Sequence, residues 1–175
     1  MRKPSEIVSV LSVSPTEEVH FSLQDIFSHS AWKLSKVHSL ASALTTIRVH
    51  GTPVVLCETD LPPGTWRDLL EQVTRFPNPP AVIVSSRLAD DRLWAEALNL
   101  GAWDVLAQPF AKSEVFQSVS AAWRHWKNQQ ERLASMAPGK NYRSRPPFFG
   151  KLAARTGDIG LARILLSGIA EGVTP

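Results

Sequence analysis

Glu58 is the first residue whose setting invites chemistry, because it ends the apolar run Val54-Val55-Leu56-Cys57 and would present a carboxylate at the mouth of a buried strand. A second group, Ser12, Ser14 and Thr16, places three hydroxyls just after another apolar run. Such hydroxyls could hold a phosphate in a small flavodoxin-like binder. A cradle of backbone N–H groups needs glycine for close approach, however, and this loop has none. The five histidines (20, 29, 38, 50 and 125) lack metal-ligand spacing, which favours surface or capping roles. Glu17 and Glu18 fall where a helix begins, and the helix dipole accounts for them better than a metal does. Cys57 is the single cysteine, so a disulfide framework and a cysteine-built zinc site are both excluded. These residues call for no catalytic role, no cofactor and no metal.

The elements that must position these groups are legible from periodicity. Short β-rich runs are predicted at Ile7–Val13, Trp32–Val37, Pro53–Cys57, Ala81–Ser85 and Trp103–Ala107. Between them, apolar residues recur three and four apart, as on amphipathic helices. The spacing runs through Val19, Phe21, Leu23, Ile26 and Phe27, then Leu40, Ala43, Leu44 and Ile47, then Trp66, Leu69, Leu70 and Val73. It resumes through Leu93, Trp94, Ala97 and Leu98, and again from Val115 to Trp126. Ser14-Pro15-Thr16-Glu17 places a capping residue and a proline at a helix start, and Gly101 stands where a helix end wants a left-handed residue. Five βα units predict a doubly wound α/β fold, a five-stranded parallel sheet with helices on both faces. Ligands of such sheets sit beyond the carboxyl ends of the strands.

Residues 1–134 are read as this domain, 135–147 as a basic Pro/Gly linker, and 148–175 as a helical C-terminal tail weakened by glycines. Charge follows the same division. Residues 1–126 hold 11 Lys/Arg against 13 Asp/Glu, while residues 127–175 hold 8 against 3. A basic tail can touch nucleic acid weakly, although solvated segments are more often basic without any partner. The N-terminus begins like a signal peptide but is broken by serines and lacks a small-residue cleavage site, and no apolar run spans a bilayer. The expected address is therefore the cytoplasm, with no membrane contact.

Three segments, in order, resemble the receiver domains of bacterial response regulators. Val54 to Gly64, with Glu58 followed four residues later by Pro62, resembles the third-strand motif. Val82-Ile83-Val84-Ser85-Ser86 followed by Asp90-Asp91 resembles the fourth strand, and Ala97 to Phe110 resembles the run ending in Lys-Pro-Phe. The likeness covers about residues 5–130. It implies a phosphoacceptor pocket, and the departures from the family pattern fall in that pocket. The phosphoacceptor position is Glu58, where the family has aspartate, and the extra methylene puts the carboxylate out of line for attack. The two acidic magnesium ligands fall on Ser12 and Val13, and a hard ion gains nothing from valine. The hydroxyl position is Ser86, the lysine position is Gln108, and the switch aromatic is Val105.

The resemblance thus implies a degenerate receiver, or pseudo-receiver, that acts through protein contacts without phosphorylation and is not an enzyme. Two readings of Glu58 stay open, a solvated strand end and a standing mimic of the phosphorylated state. Partner binding or homodimerisation is expected on the face of the fourth helix, fifth strand and fifth helix, through Arg92, Trp94, Trp103, Trp123 and Trp126. The alternatives are a DNA-associated regulator using Lys140, Arg143 and Arg145 of the basic segment, and the phosphate or nucleotide binder described above.

Overall fold

A computed structural model describes residues 7–136. Its elements are β1 (Val8–Val13), α1 (Glu17–Phe27), β2 (Trp32–Val37), α2 (Leu40–His50), β3 (Val54–Glu58), β4 (Asp60–Leu61), β5 (Gly64–Thr65), α3 (Trp66–Val73), β6 (Ala81–Ser86), α4 (Asp91–Asn99), β7 (Asp104–Ala107) and α5 (Lys112–Ser135). The five long strands form one parallel sheet in the order β2-β1-β3-β6-β7, the doubly wound arrangement expected. The two-residue strands β4 and β5 make an antiparallel clip between β3 and α3, which periodicity over so few residues does not announce. The basic segment and the helical tail lie outside the described residues. Ser135, read as the start of the linker, is still helical.

Alternation along each strand divides the core in two. Leu11, Val13, Val55, Cys57, Val82, Val84 and Val105 pack with residues of α2, α3 and α4, including the fully buried Trp66 and Leu69. Val10, Val54, Leu56, Ile83 and Leu106 pack with α1 and α5 through Leu23, Phe27, Val115 and Val119. Asp104 anchors α5, since its buried carboxylate accepts the Ser118 hydroxyl at 2.7 Å and the Val105 N–H at 3.0 Å.

The caps differ in detail from expectation. The α1 N-cap is Thr16, and Ser14 turns its hydroxyl elsewhere. At the end of α4, Gly101 takes the left-handed backbone with φ 101°, as its position predicts. Phe21, counted on the apolar stripe of α1, is 62% exposed, with the Lys36 ammonium 5.5 Å from its ring. The stripe of α1 is completed instead by a histidine, His20, which is fully buried.

Candidate functional site

The parallel register pairs Val13 with Cys57 and Glu58 with Ser85, so the chain ends of β1, β3 and β6 meet at one point beyond the sheet. Glu58 lies there half-buried, and both of its carboxylate oxygens are held. Ser14 Oγ–H donates to Oε2 at 2.5 Å, and the Thr16 hydroxyl lies 3.4 Å from the same oxygen. Gln108 donates from Nε2 to Oε1 at 3.1 Å, and its second amide hydrogen reaches Ser85 Oγ at 3.3 Å. Ser85 in turn donates to the Cys57 carbonyl. The Ser14 hydroxyl has one hydrogen and three possible acceptors, Glu58, the Thr16 carbonyl and the Thr16 hydroxyl. The shortest, charge-assisted contact to the carboxylate takes it. Beneath the site, burial and the neighbouring Glu58 charge push the Cys57 thiol up to about 12, so it is an inert core group.

Of the positions picked out by sequence, Glu58 and Gln108 come together as a hydrogen-bonded pair. The others fall one or two residues away from the groups that complete the pocket. Ser12 is buried with its hydroxyl on His20 at 2.8 Å, and Val13 packs in the core on the opposite strand face. The β1 contribution to the pocket is Ser14, the next residue on the Ser12 face. Ser86 accepts the Leu88 N–H and stabilises the turn after β6, while the hydroxyl that joins the pocket belongs to Ser85. Val105 is buried among the residues of α2–α4 and has no aromatic ring to swing. The histidines also divide. His20 is buried rather than superficial, and His125 stacks on Trp103 with ring centroids 4.8 Å apart. Counting Ser12 and Ser14 as the same strand face would have found the pocket serine; nothing local in the sequence marks His20.

The residues of the expected contact face pack on both sides of the sheet. Trp94 packs with the α2–α4 core, whereas Trp103 and Trp123 pack with the α1–α5 core on the other side of the sheet. Trp123 meets Trp32, at the start of the far edge strand β2, edge-on at 6.3 Å. Arg92 is exposed on α4, and Trp126 is half-buried with an indole N–H shut away from solvent and without a hydrogen-bond partner.

Receiver pockets imply magnesium, and these residues do not fit it. The pocket offers one carboxylate, already hydrogen-bonded at both oxygens, beside neutral hydroxyls, whereas magnesium asks for octahedral oxygen ligation with carboxylates. Among the described residues no group of three His, Cys, Asp or Glu side chains is placed to hold a metal ion.

The response regulator receiver domain family matches residues 10–120. No curated protein matches the chain. Among solved structures, the signal receiver domain of an HD domain-containing protein from Pseudomonas fluorescens Pf-5 superposes with a TM-score of 0.67 at 22% identity, covering 75% of this chain and 98% of that one. The beryllofluoride-activated NtrC4 receiver domain dimer, in solution, gives a TM-score of 0.63 at 20% identity, covering 67% and 98%. The chemotaxis response regulator CheY4 of Vibrio cholerae gives 0.60 at 13%, covering 66% and 98%. Identities this low speak for the fold. Together with the family match over most of the described residues, they place the chain in the response regulator receiver family of two-component signal transduction.

Proposed function

We propose that this receiver domain works without phosphorylation, as a protein-interaction module in bacterial signal transduction or transcription regulation. The observation that carries the reading is the occupancy of Glu58 by two neutral donors, Ser14 and Gln108. A receiver that takes phosphate needs a free aspartate oxygen in line, a metal to neutralise developing charge, and a lysine on the phosphoryl group. Here the carboxylate is longer, both oxygens are engaged, and the lysine position carries an amide. Glu58 keeps a fixed negative charge where a phosphoryl group would lie, and Val105 removes the aromatic switch. Both features suit a domain held in one signalling state.

Incubation with acetyl phosphate, or with beryllofluoride and magnesium, followed by intact mass and tryptophan fluorescence, tests this. The expected result is no mass increase and no fluorescence change. A stoichiometric acid-labile adduct would overturn it.

The contact surface is expected on the face of α4, β7 and α5, with the exposed Arg92 on α4 and the half-buried Trp126 on α5, a helix that continues to Ser135. Its occupant is a second copy or a protein partner. Sedimentation of wild type and Trp126→Ala tests the surface. A strictly monomeric wild type whose partner binding is untouched by the substitution would remove it.

A further inference from the structure

The polar chain does not end at Ser14. Behind it, on α1, His20 is fully buried with both ring nitrogens engaged. Nε2 lies 3.2 Å from the Ser14 carbonyl and Nδ1 lies 2.8 Å from Ser12 Oγ. A carbonyl only accepts, so the hydrogen of the neutral ring sits on Nε2, and the Ser12 hydroxyl donates to Nδ1. The same residue, Ser14, therefore receives His20 on its carbonyl and gives its hydroxyl to Glu58. Three ionisable side chains bear on this ring, His38, Glu17 and Lys36. His38, which follows β2, meets it edge-on at 4.8 Å and reaches Glu17 of α1 at 3.2 Å on the surface. Lys36 of β2 adds a positive charge, and Glu58 of β3 lies beyond Ser14. Burial first, and then His38, hold the imidazole below its ordinary value, while Glu17 pulls the other way.

We propose that His20 is the positioning residue of the Glu58 pocket, and that a proton taken up at His20 is read at the Glu58 carboxylate through Ser14. The proton adds to the Nδ1 lone pair. The Ser12 hydroxyl, until then a donor, turns round to accept, and no covalent bond breaks. The Nε2–H bond to the Ser14 carbonyl becomes charge-assisted and tightens. The 14–16 turn, which the Ser14 hydroxyl also closes by accepting the Thr16 N–H at 3.0 Å, adjusts with it. The closer of the two hydroxyl donors on Glu58 Oε2 is thereby tied to the charge of the His20 ring. This coupling is independent of whether the pocket can be phosphorylated.

The test follows the carboxyl carbon of Glu58 and the ring of His20 by NMR in the full chain, across the histidine range of about pH 5 to 8. The Glu58 signal is expected to inflect at the pH where His20 titrates. His20→Gln should abolish that inflection, and His38→Gln should move it to higher pH. A Glu58 signal that stays flat through the His20 titration, or an inflection that survives in His20→Gln, overturns the proposal. Should His20→Gln fail to fold, Ser14→Ala decides. There His20 still titrates and Glu58 no longer follows, whereas a Glu58 signal that still follows means the coupling bypasses Ser14, and the proposal falls.

Discussion

The two faces of the sheet receive alternate residues of the same strands, yet they are finished differently. On the α2–α3–α4 face the core closes around Trp66, 1% exposed, with Leu69, Leu61 and Val84 beside it. On the α1–α5 face a buried inner layer of Val10, Leu23, Leu56 and Val119 is rimmed by half-exposed aromatics. Phe116, Trp32 and Trp123 are joined through the buried Phe27 in a chain of ring contacts between 5.5 and 6.3 Å. The same side carries the long helix α5, 24 residues or about 36 Å, with Leu133 55% exposed near its end. Since the strands are shared, the helices make the difference. Both faces carry a rim of partly buried hydrophobics, but the α1–α5 rim holds five aromatic rings where the other holds Phe76 and Trp94.

The largest effect should separate these faces directly. Trp66→Ala empties a sealed site and should cost about 3–5 kcal/mol, by urea unfolding followed with the remaining tryptophans. Trp123→Ala removes a ring already half in water and should cost about 1–2 kcal/mol. Equal losses would erase the distinction between the sealed Trp66 site and the aromatic rim.

Acid should sharpen it. The histidines whose protonation the fold disfavours, His20 and His125, belong to α1 and α5, and for each the leading cause is burial. Their folded values lie below the 6.5 of a free histidine, so as pH falls the unfolded chain takes up the proton first. Stability is then intact above about pH 6.5 and is lost as pH falls through the lowered folded values. The urea midpoint should drop between about pH 7.5 and pH 5, and His20→Gln with His125→Gln should flatten most of that slope. A slope unchanged in the double variant would assign it to other groups.

The fold was readable because period-two and period-3.6 patterns are long-range averages. The continuously apolar Val54–Cys57 and Ala81–Val84 could only be central strands, and the alternating helical stripes had to cover them. The pocket was harder, because it depends on single residues at strand ends. Glu58 and Gln108 were found through motif spacing. Ser14 and Ser85, which complete the hydrogen bonds of the pocket, stand one or two residues from the motif positions Ser12, Val13 and Ser86, and motif spacing does not say which strand-end side chain turns into the pocket. Val13↔Cys57 and Glu58↔Ser85 are register facts, and register is a property of the pair of strands. His20 escaped because its two partners, Ser12 and Ser14, are neighbours only once α1 folds back on β1.

Removing the Ser14 hydroxyl tests the polar end, where both faces meet. Ser14→Ala leaves Glu58 Oε2 short of its close donor, but Glu58 is half-exposed and water can replace it. The expected cost is about 1 kcal/mol, well below that of Trp66→Ala, by urea unfolding. A loss of the Trp66→Ala size would make the pocket part of the structural core.

Glu58→Gln should have the smallest effect on folding. The new amide keeps the shape and can satisfy the same partners, with its oxygen accepting from Gln108 and its N–H donating to Ser14 Oγ. The Ser14 hydroxyl then turns its hydrogen to the Thr16 carbonyl, which already lies 3.0 Å away. The close hydrogen bonds of the site are kept and the half-exposed remainder can turn to water, so the change in unfolding free energy should stay within about 0.5 kcal/mol. What disappears is the charge, displayed at the open end of the sheet between β1, β3 and β6. If that charge holds the domain in its signalling state, association changes where stability does not, and sedimentation of Glu58→Gln beside wild type will register it. A variant that associates like wild type but melts far earlier would make Glu58 a structural residue and end its reading as a standing substitute for a phosphoryl group.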